Sequence, residues 1–142
     1  PKTSSAASDV YKRQVNGFSE AGCEMGTLAY PIENAHTLED PHTVKVVCDA
    51  EGRALYFSRA PIPYPRRQGA PPRGWAHVGV YAFRQQDLAR YITLASCPLE
   101  QREQLEQLRA LYAGWKIHVA PATSPSLGID TPEDLERARD IF

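Results

Sequence analysis

Residues 43–58 read "TVKVVCDAEGRALYFS", and no other stretch restricts the fold as tightly. Two runs rich in β-branched and aromatic residues, 43–48 and 54–58, flank the turn segment Asp49-Ala50-Glu51-Gly52. Such runs suit a pleated, half-buried surface, and Gly52 is free to take a left-handed conformation, so a β-hairpin is expected. Immediately afterwards Pro61, Pro63 and Pro65 remove every second backbone donor, so no ladder can continue. Two readings fit the junction. Either a strand simply ends in a solvated loop, or the sheet edge delivers Arg59 to an anionic ligand beneath a stiff loop.

The rest of the chain supplies partners for that hairpin. "GTLAYPI" from Gly26 is a short strand, and "HTLEDP" reads as a loop or turn. Residues 61–75 hold five prolines, three arginines and two glycines and form an extended loop. "HVGVYAF", His77 to Phe83, is another strand, with Gly79 hinting at a bulge or a close backbone approach. "RQQDLARYITLA" follows as a helix. "CPLEQREQLEQLRALYAG" is a second one, with Pro98 at its first position, Leu105, Leu108 and Tyr112 striping one face, and Gly114 as its stop. "WKIHVAP" is a strand. "GIDTPEDLERARDIF" is a closing helix with Thr131 as N-cap, Pro132 next, and Leu135, Ala138 and Phe142 facing the core. The pattern is a mixed α/β sheet with no phosphate-cradling glycine-rich turn at its start.

At 142 residues the chain suits one domain with a real core, and its 42% hydrophobic and 23% charged fractions are ordinary. A net charge of -1 argues against a nucleic-acid or membrane-surface binder, which needs a basic excess. No apolar run approaches the roughly 18 residues of a spanning helix, and no signal peptide is visible. Cys23, Cys48 and Cys97 are odd in number and far apart, which points to reduced thiols in a cytoplasmic protein. His36 and His42 have no neighbours that complete a metal set. The first residues, "PKTSSAASDVYKRQ", lack periodicity. Residues 1–21 are expected to be a disordered or foreign leader, and 22–142 the folded portion.

Four blocks, "TLAYPI", "VKVVCDAEGRALYFSRAPIP", "HVGVYAFR" and "LEQLRALYAGWKIHVA…GIDTPEDLERAR", occur in an order that resembles one family. They are similar to the C-terminal half of the 3-deoxy-manno-octulosonate cytidylyltransferases, the CMP-Kdo synthetases of lipopolysaccharide biosynthesis, from about Gly26 onward. "ALYFSRAPIP" and "GIDTPEDLER" are the most specific. The resemblance implies a partial Rossmann-like, nucleotide-diphospho-sugar transferase fold, with a mixed sheet, a β-hairpin and flanking helices. It also implies CTP and the eight-carbon acid sugar Kdo as substrates, CMP-Kdo and pyrophosphate as products, Mg²⁺ as cofactor, and a homodimer at full length.

Three departures accompany the resemblance. The family's N-terminal half, with its triphosphate loop and a metal-binding aspartate, is absent, so a fragment inactive by itself is expected. The loop after Arg66 is shorter than usual. Asp40-Pro41-His42 stands where the family reads Asn-Pro-Asn. The alternatives are a cytidylyltransferase for a related acid sugar (amino-Kdo or a nonulosonic acid), an inert fragment, or a binding module acting through loop 61–73. That loop lacks a clean PxxP motif, and a lid or dimer contact suits it better.

The resemblance also assigns residues. Arg59 matches the arginine that contacts the sugar acid, where a planar fork suits a carboxylate. Its plain alternative is a surface arginine at a strand end. His77 and Tyr81 match positions lining the sugar pocket, and being four apart on one strand they share a face. Glu106 and Gln107 match a pair that hydrogen-bonds sugar hydroxyls, although Glu106 could equally be an i, i+4 partner of Arg102. Asp130 matches a catalytic, Mg²⁺-binding aspartate, a role suited to a hard cation's oxygen ligands. Its alternative is a helix-entry residue favoured by the macrodipole.

Overall fold

A computed structural model describes residues 18, 19 and 21–122. The expected hairpin is present as β2 (Lys45–Cys48) and β3 (Ala54–Ser58), antiparallel, with Gly52 at φ +82° in the turn. Asp49 organises that turn, its carboxylate accepting from the backbone N–H groups of Glu51 and Arg53, both at 2.9 Å. The hairpin joins β1 (Met25–Ile32), β4 (Gly74–Phe83) and β5 (Ile117–Pro121) in one mixed sheet of order β3-β2-β4-β1-β5. Only β1 and β5 run parallel; the other pairs are antiparallel.

β4 is longer than its sequence suggested, beginning at Gly74, so Trp75 belongs to the sheet rather than to the loop. The irregularity hinted at by Gly79 is real. Thr27 pairs with Tyr81 while Leu28 pairs with Val78, so Gly79 and Val80 are extra residues on β4. The bulge lies in the middle of the site described below.

Side-chain alternation along β1 sends Met25 and Ala29 into the main core, with Phe57, Leu108, Trp115 and Ile117. Leu28 goes to the opposite face, against Val78 and Ala120. The helices that follow β4 cover the first face. Segment 36–41, expected as a turn, instead begins with a short helix, α1 (Ala35–Glu39). Asn34 caps it by accepting from the Thr37 N–H at 2.8 Å, and Leu38 anchors it against Ile32 and Ala76. α2 (Gln85–Tyr91) follows β4 as expected but stops earlier.

The expected single helix over 97–114 is two helices, α3 (Pro98–Glu103) and α4 (Leu108–Tyr112). Pro98 and Gly114 take their expected places, at the start of α3 and after α4. Between the helices Gln104 sits at φ 57°, ψ 48°, and Leu105 N–H reaches back to Glu100 O at 3.3 Å. This is a Schellman-type ending with glutamine in the position that glycine usually fills. The break rotates the second segment. Leu105 and Leu108 are buried as expected, whereas Tyr112 is 61% exposed and does not join their stripe. No helix among the described residues is long and apolar enough to cross a membrane. The closing motif with Thr131, Pro132, Leu135, Ala138 and Phe142 lies outside the described residues.

Candidate functional site

The helix-covered face of the sheet carries a run of aromatic rings, Phe57, His77, Tyr81, Phe83, Tyr91 and Trp115, with successive centroids 4.8–6.4 Å apart. His77 and Tyr81 are neighbours in it at 5.6 Å, so they share a face as expected. The His77 backbone N–H donates to Val44 O at 2.8 Å, and its ring Nε2 lies 2.8 Å from Thr27 Oγ1. The backbone is thus tied to the residue before β2, and the imidazole to Thr27 of β1. Burial lowers its pKa to about 3, so it is neutral at ordinary pH. Burial, with smaller contributions from Tyr91 and Glu106, raises the Tyr81 pKa and keeps its phenol protonated. Tyr91 is pushed to about 12, first by burial and then by Glu106. A neutral imidazole and phenols that stay protonated make this face a donor–acceptor surface rather than a proton-transfer centre.

The helix break sets the second part of the site. Glu106 occupies the junction before α4 with its side chain 64% exposed, its nearest ionic partner being Arg109 at 3.8 Å. An i, i+4 pairing with Arg102 does not occur, because the break removes the helical spacing. Arg109 instead reaches back to Glu100, with Nε 3.0 Å from Oε1 and a second contact from Nη2 to Oε2, tying α4 to α3. Gln107 is buried at 5% exposure at the start of α4, and its amide makes no hydrogen bond among the described residues. A shallow cleft of about 310 Å³ along α3 is lined by Ser96, Glu100, Gln104 and Glu106. Neither His77 nor Tyr81 lines it, but Glu106 lies close enough to influence Tyr81.

Arg59 stands apart from these four. Its guanidinium donates to three backbone carbonyls: Glu103 O from Nε at 2.8 Å, Pro41 O from Nη1 at 2.9 Å, and Gln104 O from Nη2 at 3.2 Å. Its own N–H donates to Glu103 Oε1 at 3.0 Å. Three of the five guanidinium N–H groups are thus committed to the protein, and two remain. Burial pushes the Glu103 carboxyl up, but hydrogen bonds from Arg59, Ser58 and Tyr56 outweigh it and hold the carboxyl below its ordinary range. Lys45, fully buried on β2, donates to Asp40 O at 2.8 Å and Thr43 O at 2.5 Å, and burial lowers its pKa. Two cations therefore collect the carbonyls of turn 40–43 and of the helix break. Asp130 lies outside the described residues.

Sequence reasoning passed over Thr27, Lys45 and Glu103. A polar residue inside an apolar strand was the available clue for Thr27 and Lys45. For Glu103 there was none.

A mixed five-stranded sheet with its later helices packed on one face, and a ring-lined surface between them, is the nucleotide-diphospho-sugar transferase class of fold. A solved structure of a CMP:2-keto-3-deoxy-manno-octonic acid synthetase complexed with CTP matches it with a TM-score of 0.75 at 40% identity, over 94% of this chain and 54% of that one. Residues 4–117 match the Cytidylyltransferase family, and the chain belongs to it. The matched range begins inside the 1–21 leader. A 3-deoxy-manno-octulosonate cytidylyltransferase of Serratia proteamaculans is 51% identical over 129 residues, 86% of this chain and 51% of the relative. One of Anaeromyxobacter dehalogenans is 54% identical over 128 residues, 90% and 52% respectively. The chain spans about half the length of the curated relatives it matches.

Proposed function

We propose that this chain is the sugar-acid half of a cytidylyltransferase that joins Kdo to CTP, giving CMP-Kdo and pyrophosphate. In that reaction the anomeric hydroxyl of Kdo attacks the α-phosphorus of CTP and pyrophosphate leaves. The observation that carries the reading is the identity of about half of all aligned residues with relatives of that name.

Each proposed residue has work that its surroundings allow. His77 and Tyr81 offer neutral hydrogen-bonding groups to sugar hydroxyls from the aromatic floor. Glu106 and Gln107 reach the sugar from the helix break, where the Gln107 amide has no protein partner among the described residues and is open to a ligand. Arg59 presents its two uncommitted N–H groups to the sugar carboxylate. The neutral His77 and protonated Tyr81 bind and orient; they do not exchange protons with the substrate at neutral pH.

Mg²⁺ enters the proposal through Asp130 alone, since no group of three acidic, histidine or cysteine side chains suited to a metal exists among the described residues. When bound, the ion would neutralise charge on the phosphates. A cytoplasmic homodimer at full length completes the reading.

The test joins this chain to the N-terminal half of the Serratia proteamaculans relative and follows pyrophosphate release from CTP with Mg²⁺. Turnover with Kdo is expected, with the unjoined chain at background. Turnover with a nonulosonic acid but not Kdo would reassign the substrate. A well-folded joined protein inactive with both would leave this chain an inert fragment.

A further inference from the structure

Thr27 is completely buried in the middle of β1, and its hydroxyl has three polar neighbours. Val80 O lies at 2.7 Å, Val78 O at 3.1 Å and His77 Nε2 at 2.8 Å. The bulge makes this possible, because Gly79 and Val80 are the extra residues that bring two carbonyls of one strand around a single hydroxyl. A hydroxyl has one proton, and a carbonyl oxygen can only accept. Two oxygens 2.7 Å apart attract only with a proton between them, so the Thr27 proton points to Val80 O. Oγ1 is then an acceptor toward the ring, and the 2.8 Å contact requires that Nε2 carry its own hydrogen.

We propose that Thr27 is a positioning residue that locks His77 in the Nε2–H tautomer, leaving Nδ1 as a fixed acceptor for a hydroxyl of the sugar acid. The acceptor role rests on the function proposed above; the lock itself does not. Nδ1 has no partner among the described residues, and the ring is wedged between Phe57 and Tyr81, with centroids at 4.8 and 5.6 Å. The ring is thus flanked on both sides, and the Thr27 contact fixes which nitrogen faces β1. Burial keeps the ring neutral, so the second nitrogen stays unprotonated at working pH. An acceptor-only nitrogen selects a ligand O–H and disfavours a carbonyl or carboxylate oxygen at the same spot, because two acceptors would face each other. Tyr81 beside it can donate, so the pair matches a hydroxyl that gives one hydrogen bond and receives another.

The test is a ¹⁵N spectrum of the histidine ring nitrogens in the chain as it stands, near neutral pH. His77 should show a protonated Nε2 and a bare Nδ1; the reverse pattern, or an even mixture, overturns the lock. Thr27→Val keeps the branched shape and removes the acceptor, and should release a fraction of the Nδ1–H form. Thr27→Ser should restore the single tautomer. An unchanged single tautomer in Thr27→Val shows that Thr27 is not its cause. Should the valine variant fail to fold, the wild-type and serine spectra still decide. In the protein joined to a relative's N-terminal half, Kdo should move the Nδ1 resonance and CTP alone should not. There Thr27→Val should raise KM for Kdo by about 2- to 10-fold with kcat within about twofold, the size of one neutral hydrogen bond. Full turnover with an unmoved Nδ1 overturns the acceptor role while the proposed function stands. A joined protein that binds no Kdo overturns both, and the free-chain spectrum still reports the lock separately.

Discussion

Arg59→Lys separates the two tasks that Arg59 is given, because one of them exists without any ligand. In the free protein the guanidinium spans three carbonyls on two segments, Pro41 on one side and Glu103 and Gln104 on the other. A lysine ammonium carries its donors on one nitrogen and lacks the fork that spans both segments, so the outer contacts to Pro41 and Gln104 are expected to be lost, while the backbone N–H bond to Glu103 Oε1 survives. Hydrogen bonds to a charged group are worth about 1.5–3 kcal/mol, but the Pro41 and Gln104 contacts are exposed, and about 1 kcal/mol each is the fitting figure. The expected loss is therefore about 2 kcal/mol, or roughly 8 °C in melting temperature for a chain of this size. Urea unfolding followed by tryptophan fluorescence and a thermal melt, both without substrate, read it directly. A surface arginine that served only a ligand would change stability by no more than about 0.5 kcal/mol. A loss that small would refute the clamp and return Arg59 to a substrate-only role.

Gly52→Ala should cost about 1 kcal/mol in chemical denaturation, because φ +82° is strained for alanine while its Cβ meets His118 and Val119 only at an ordinary 3.7 Å. Gly79→Ala, where nothing lies within 4 Å and φ is not positive, should be close to neutral. Below its ordinary pKa of 6.5 the unfolded chain takes up a proton at His77 that the folded one refuses until about pH 3. Stability should therefore fall as pH drops through that window, by up to about 1.4 kcal/mol per pH unit, and His77→Gln should remove that share of the slope. His118, also lowered by burial, keeps its own contribution in the variant. In the joined enzyme Asp130→Asn should reduce turnover at least about 100-fold with little change in melting temperature, partly restored by high Mg²⁺ or Mn²⁺. Retained activity with a lowered melting temperature would make Asp130 a helix-entry residue instead.

The hairpin was legible because both of its signals are local: β-rich runs and a glycine where φ must be positive. The bulge in β4 was legible for the same reason, through Gly79. The break after Glu103 was not, since the residue at φ 57° is Gln104, and a glutamine there announces nothing. Its cause is tertiary: the Leu105 and Leu108 side chains reach the core while Arg59 receives the carbonyls of Glu103 and Gln104. α1 was missed although Asn34 is a good cap, because the polar run before Pro41 reads as a turn. At the site, residue types and strand alternation brought His77 and Tyr81 to one face, but no pattern could reveal that Thr27 faces two carbonyls and an imidazole at once.

The contact between the hairpin turn and β5 governs how the sheet meets other chains. Among the described strands β5 lies at an edge, and its odd-numbered residues point their backbone groups away from β1. The Val119 N–H is taken by Gly52 O at 2.8 Å, Arg53 forms a bridge with His118, and Pro121 has no N–H to offer. The turn at one end of the sheet thus folds over the strand at the other, curling five strands toward a closed shape. An incoming strand that sought to extend the sheet past β5 would first have to displace the turn, and would then find a proline. Exposed edges invite association between copies, and this one is blunted by two independent means. Losing the reach of Gly52 toward β5 would bare the Val119 N–H, a donor that a second strand could claim.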